Sequence, residues 1–72
     1  MFDILKLQAA KSLLERLMAC EIYVYGIDSD LHVRDGRRHA TGTADKIIDA
    51  IKSSTSRTSL WDAFALRGLM AA

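Results

Sequence analysis

EIYVYGIDSDLHVRDGRRHAT, residues 21–41, is the stretch that decides the fold. Its first seven residues are rich in the β-branched and aromatic side chains that favour strands, and the polar segment 28–30 follows as a turn. The pair Asp35-Gly36 lies between two further strand-like segments, where Asp-Gly is the strongest short-range signal of a β-hairpin. The sequence therefore predicts an antiparallel meander of two or three strands.

The hairpin also predicts which side chains face each other. If Asp35 and Gly36 form a two-residue type I′ loop, His32 faces His39 directly, and alternate pairs lie on opposite faces of the sheet. One face then carries Leu31, Val33 and Ala40, and the other carries His32, Arg34, Arg37 and His39. For residues 23–27 the inward face stays open, because both alternating sets of side chains are apolar.

Helices are predicted on both sides of the sheet. Apolar residues recur at helical spacing over residues 2–19, and Cys20 after them is expected to be a small buried hydrophobe. Thr43 is a good N-cap for a second helix that runs to Lys52, and Thr58 or Ser59 can cap a third. The prediction is one α+β domain over residues 1–72, with a helix, the meander and two C-terminal helices.

The chain has 72 residues, and this size limits how well it can stabilise itself. A chain this small buries only about 60% of its surface, and a single core of this kind seldom supplies more than ~3–5 kcal/mol. Cys20 is the only cysteine, so no intrachain disulfide is possible. Stabilisation by a partner chain is therefore expected, and the net charge of +1 excludes a strongly basic histone-like protein.

The third helix is apolar around its whole circumference, which requires burial on more than one side. Two interpretations stay open: the helix completes the core over the second helix, or it forms a partner or homodimer surface. The candidate interface consists of Leu60, Trp61, Phe64, Leu66, Leu69 and Met70.

A second candidate surface lies on the hairpin, where basic and imidazole side chains alternate. It is a possible contact for nucleic acid or an acidic partner, and the plainer interpretation is a solvated polar face. Two facing imidazoles could also act as acid and base in a small RNase. No third ligand is placed to complete a metal site, and no cofactor is predicted. The surface consists of His32, Arg34, Arg37, Arg38 and His39.

The sequence resembles two known families over different segments. The order helix, hairpin, helix, with AKSLLERLM before the sheet and DGRR at its turn, resembles the head-completion proteins of lambdoid phages, the protein W family, over residues 7–52. That resemblance implies a virion assembly part seated on a portal ring.

The segment RRHATG, followed by ADKIIDAIKSSTSRTSLWDAFALRGLM, looks like a ribbon-helix-helix DNA-binding protein. This resemblance implies a dimer whose strands pair between subunits and enter the major groove. Arg37, His39 and Thr41, or else Arg38 and Ala40, would then face the bases.

The expected function is binding of another protein without catalysis, as a phage- or prophage-type accessory protein that inhibits a host protein or helps virion assembly. The ribbon-helix-helix regulator and the small RNase are the alternatives. Polar residues interrupt the first 20 positions, so no secretory signal is expected and the chain should be cytoplasmic. The apolar run 60–72 contains Asp62 and Arg67 and is too short to span a bilayer.

Overall fold

The structure, a computed structural model, describes residues 4–17 and 22–71. The predicted α+β layout is confirmed, and the meander has three antiparallel strands in the order β1-β2-β3. Cys20 and the ends of the predicted first helix lie outside the described residues. The elements are α1 (Ile4–Arg16), β1 (Tyr23–Ile27), β2 (Asp30–Asp35), β3 (Arg38–Thr43), α2 (Ala44–Lys52) and α3 (Arg57–Leu66).

The β2–β3 hairpin turns one residue later than the sequence predicts. Asp35 pairs with Arg38, so the two loop residues are Gly36 and Arg37, and Gly36 takes the positive φ of 61°. Asp35 belongs to the strand because α3 holds its carboxylate. The partner of each β2 residue consequently moves by two positions, and His39 pairs with Arg34 instead of His32.

The shift by two positions keeps the paired side chains on their predicted faces, because side chains along a strand alternate with period two. Arg37 is the exception, since it moves from the predicted strand into the loop. Val33 and Ala40 form a pair on the inward face, and both are fully buried. In β1 the structure selects Val24 as the inward residue, while Tyr23 and Ile27 point outward and are 72% and 52% exposed. The structure thereby shows which side chains of residues 23–27 face inward, a point that the sequence left open.

The helices cover the inward face of the sheet and complete one core. Thr43 caps α2 as predicted, since its side chain accepts a hydrogen bond from the Lys46 amide. Burial is greatest where α2 and α3 meet β2 and β3. The core residues with no exposed surface are Ala10, Leu31, Val33, Ala40, Ile47, Ala50, Leu60 and Phe64.

Helix α3 begins earlier than predicted and ends in a glycine turn. Ser56, not Thr58 or Ser59, is its N-cap, and Ser59 is the capping-box partner. At the other end Gly68 has a φ of 69°, and the Leu69 amide donates to the Phe64 carbonyl across 2.9 Å. This Schellman turn sends the chain back toward the sheet.

The chain beyond α3 covers the outer edge of β3. The Thr41 amide donates to the Leu69 carbonyl across 2.8 Å, and the Ala71 amide donates to the His39 carbonyl across 2.7 Å. Gly42 permits this close approach, because a Cβ at that position would lie 2.8 Å from a methyl carbon of Leu69. β3 therefore has hydrogen-bonded neighbours on both sides.

Candidate functional site

Among residues 4–17 and 22–71, no helix lies over one face of the sheet, which is called the open face here. Its side chains alternate with the buried ones along each strand. β1 contributes two aromatic residues and one aliphatic residue, β2 an aspartate, a histidine and an arginine, and β3 a histidine and two threonines. The open face carries Tyr23, Tyr25, Ile27, Asp30, His32, Arg34, His39, Thr41 and Thr43.

Three rings stack across the three strands in the middle of the open face. The Tyr25 and His32 ring centroids are 5.1 Å apart, with the planes 3° from parallel. The His32 and His39 centroids are 5.2 Å apart, at 22°. The sequence predicted this histidine contact from a direct pairing, which is wrong, since His32 pairs with Thr41. The imidazoles meet diagonally, and Nδ1 of His32 lies 3.0 Å from Nε2 of His39.

The charge of Arg34 and the neighbouring His32 both act on the imidazole of His39. Arg34 Nε donates to the Tyr25 hydroxyl across 2.8 Å, which holds the guanidinium at the hydroxyl end of that ring. Burial lowers the pKa of His39, and the positive charge of Arg34 and the nearby His32 lower it further. A neutral His39 imidazole can take part in a hydrogen bond with the ring of His32.

The predicted basic surface is divided between different parts of the sheet. His32, Arg34 and His39 lie on the open face, whereas Arg37 is in the loop. Arg38 points to the helical side, where its guanidinium carbon lies 5.8 Å from the centre of the Trp61 ring. The five residues therefore do not lie on one face, because the strand alternation separates adjacent arginines.

The predicted interface on α3 is largely part of the core. Four of its six side chains are at most 6% exposed, and a side chain buried in its own chain cannot contact a partner without opening that core. The physical reason is that the same chain covers the helix, since α2 packs against α3 and the hairpin residues Asp35 and Arg38 contact Trp61. Leu60, Trp61, Phe64 and Leu69 are buried, while Leu66 is 86% exposed and Met70 is 40% exposed.

Asp35 joins the hairpin to α3, a role that its place beside the turn glycine did not reveal. Arg57 binds both carboxylate oxygens, with Nε 2.8 Å from Oδ2. The hydrogen bond from Arg57 lowers the pKa of Asp35, the charge of Arg57 acts in the same direction, and partial burial acts against both. This cluster is structural, because it holds the end of the hairpin against the buried Trp61.

The strand β1 is the second notable feature of this site. Its sequence, YVYGI, contains neither a charged residue nor proline. Within the described ranges, no backbone group pairs with its outer edge. The sequence did contain the side chains that point outward from this strand, Tyr23, Tyr25 and Ile27. Hydrophobicity alone could not show that they point outward and not inward.

The structure and the comparisons add limited information about chemistry. In the part of the chain that the structure describes, no group of three or more His, Cys, Asp or Glu side chains is arranged to hold a metal ion. None of the described helices combines the length and the apolar character needed to cross a bilayer. Comparison with protein-family models, with curated proteins and with solved structures finds no match to this chain.

Proposed function

We propose that the chain is a non-enzymatic binding protein that contacts a partner protein through its open face. The observation that carries this proposal is the composition of that face. Tyr23 and Ile27 are large and well exposed, and Tyr25 and Arg34 lie beside them. Tyrosine and arginine are the residue types enriched at the centres of protein interfaces, where lysine and glutamate are depleted. The described residues of the open face include neither lysine nor glutamate.

Two features favour a protein over a nucleic acid as the partner. Arg34 is the only arginine on the open face in the described chain, so few phosphates could be neutralised. The His32 ring lies between the Tyr25 and His39 rings, which cover both of its faces and prevent a base from stacking on it. The ribbon-helix-helix alternative needs a free edge on β3, and the chain itself occupies both edges.

The histidine pair supports binding better than catalysis. Its nearest nitrogens, 3.0 Å apart, are in direct contact, so no phosphate oxygen fits between them. The RNase alternative loses the arrangement on which it depended. The role as a phage- or prophage-type accessory protein, either an inhibitor or an assembly part, rests on the small size and the composition of the chain. The resemblance over residues 7–52 supports the assembly part.

The test compares two arginine variants of the tagged protein. Arg34→Ala removes the guanidinium from the open face, and Arg67→Ala removes an exposed guanidinium that follows α3. Each is used to capture proteins from a nuclease-treated lysate of the cells that make the chain. For one captured protein, we expect the amount bound to fall about tenfold with Arg34→Ala. The amount bound should be unchanged with Arg67→Ala. Equal capture by both variants, or capture that nuclease abolishes, would overturn the proposal.

A further inference from the structure

The two edges of the sheet differ in a way that points to a further binding site. Residues 69–71 cover β3. β1 has no neighbour on its outer side among the described residues. Exposed edges in natural proteins are commonly blocked by charged side chains, proline or a bulge, because they otherwise pair with other chains. The five residues of β1 contain no charge and no proline, so nothing in this strand opposes such pairing.

The turn before β2 determines which backbone groups of β1 point outward. Ile27 and Asp30 flank a two-residue loop and form a hydrogen-bonded pair in such a hairpin. Hydrogen-bonded and non-bonded pairs alternate along an antiparallel ladder. The Tyr25 backbone therefore bonds to β2, and Val24 and Gly26 direct their amides and carbonyls toward the outer edge.

We infer that β1 pairs with β1 of a second copy of this chain, antiparallel and centred on Tyr25. This register uses the whole strand and places Tyr23 opposite Ile27 of the second copy. It also places Val24 opposite Gly26 of the second copy, and these are the residues whose backbone groups point outward. Both symmetric pairs exchange their amide and carbonyl bonds, and the two three-stranded sheets become one continuous sheet.

The side chains of β1 are complementary in this arrangement. An aromatic residue opposite a β-branched residue, as in the two Tyr23 and Ile27 pairs, is a favourable cross-strand combination. Tyr25 lies opposite its own copy at a non-bonded position, where side chains approach most closely. The ring stack of Tyr25, His32 and His39 has centroid spacings close to the distance between strands, so it continues across the two-fold axis.

A second copy is a better occupant than an unrelated strand because the edge is self-complementary. Each residue that would face the partner is matched by another residue of the same five, with no charge left unpaired. The modest core also gains from the added sheet. The dimer uses the backbone edge of β1, whereas the proposed function uses the side chains of the open face, so this dimer goes beyond the proposed function. Tyr23, Tyr25 and Ile27 belong to both, and the remaining open-face residues lie on β2 and β3, outside the dimer edge.

The first test uses complementary charges at two exposed positions. Tyr23→Lys/Ile27→Lys places lysines opposite each other across the axis, and Tyr23→Glu/Ile27→Glu does the same with carboxylates. Sedimentation should give a dimer for the wild type at micromolar concentration, a monomer for each double variant, and a heterodimer for their equimolar mixture. Arg34→Ala should remain dimeric, which separates failure of this inference from failure of the proposed function. A wild type that is monomeric at ~100 µM would overturn the inference, since dimers respond to concentration by mass action.

The second test determines the register in which the two β1 strands pair. In a Cys20→Ser background, Tyr25→Cys brings two thiols together at the non-bonded pair, where Cα atoms are about 4.5 Å apart and suit a disulfide. Tyr23→Cys is the matched control, because its two copies lie four pairs apart along the strand in this register. Oxidation should link the Tyr25→Cys chains and leave Tyr23→Cys unlinked. Equal linking of both, or linking of the control alone, contradicts the register.

Discussion

The indole Nε1 of Trp61 donates a hydrogen bond to Oδ2 of Asp35 across 3.2 Å, joining residues that are 26 positions apart. The contact ties the end of the β2–β3 hairpin to the first half of α3. It explains why Asp35 is a strand residue instead of a loop residue, since Arg57 binds the same carboxylate. The same contact, together with Arg38 over the ring, helps to cover Trp61, which is only 5% exposed.

Removing the carboxylate should destabilise the fold. With Asp35→Ala, Arg57 and the Trp61 indole lose their shared acceptor, and we expect the free energy of unfolding to fall by about 2 kcal/mol. For a domain of this size that is a drop in Tm of roughly 10 °C. Asp62→Ala, on the exposed side of α3, is the control and should change stability by less than about 0.5 kcal/mol. Chemical denaturation followed by the fluorescence of Trp61 measures both, and equal effects would show that the cluster contributes nothing specific.

The same carboxylate should make stability fall in acid. The pKa of Asp35 is lower in the folded chain than its ordinary value, chiefly because Arg57 donates hydrogen bonds to it. The folded state therefore holds the proton less tightly than the unfolded state. The stabilisation is complete above about pH 4, the unfolded value, and is lost as the pH falls through the lowered pKa. The free energy of unfolding, measured between pH 2 and 7, should fall more steeply in acid for the wild type than for Asp35→Asn. Equal pH dependence of the two proteins would contradict the assignment.

His39 should show the same linkage, with the same sign, at milder pH. Its pKa is lowered by burial, by Arg34 and by His32, so the unfolded chain binds a proton more readily than the folded one. Stability should then increase with pH up to about 6.5, the unfolded value. Proton NMR of the imidazole should give a titration midpoint for His39 below that value. In Arg34→Ala the midpoint should move upward, because one of the positive charges is gone, and an unchanged midpoint would exclude that influence.

The elements of the fold follow from the sequence more fully than their contacts do. Helical spacing, the strand texture and the Thr43 cap are local signals, and each predicts its element correctly. The hairpin register depends on Asp35, whose partners Arg57 and Trp61 come from a distant segment, so the turn signal alone placed the loop one residue early. The sequence around the turn contains no pattern from which these long-range contacts could be predicted.

The same limit explains why two interpretations of α3 stayed open and why the site was predicted incompletely. An all-round apolar helix indicates burial without indicating whether the covering residues belong to the same chain. In the structure α2 packs against α3, and Asp35 and Arg38 of the hairpin contact Trp61. In β1 the outward tyrosines are as apolar as the inward valine, so only the packing of the sheet identifies the exposed side.

The fit of Gly42 beneath the tail can be tested by adding one methyl group. In Gly42→Ala the new Cβ would lie 2.8 Å from a Leu69 methyl carbon, so the buried Leu69 side chain must shift from its place beneath β3 and α2. We expect a loss of about 1–3 kcal/mol. Combining Gly42→Ala with Leu69→Ala makes room for the added methyl, so the two losses should not add. Strict additivity in a double-mutant cycle measured by urea denaturation would mean that the two side chains do not touch.

Two neighbouring positions on α3 distinguish the core from the surface of that helix. Phe64 has no exposed surface, so Phe64→Lys buries an unpaired charge that costs several kcal/mol, comparable to the ~3–5 kcal/mol of the whole core. Leu66 is 86% exposed, and Leu66→Lys should change the free energy of unfolding by less than about 0.5 kcal/mol. Circular dichroism should therefore find Phe64→Lys unfolded and Leu66→Lys folded. Sedimentation of Leu66→Lys should match the wild type, because the exposed side of α3 takes no part in the β1 interface. A folded but monomeric Leu66→Lys would instead locate the association surface on α3.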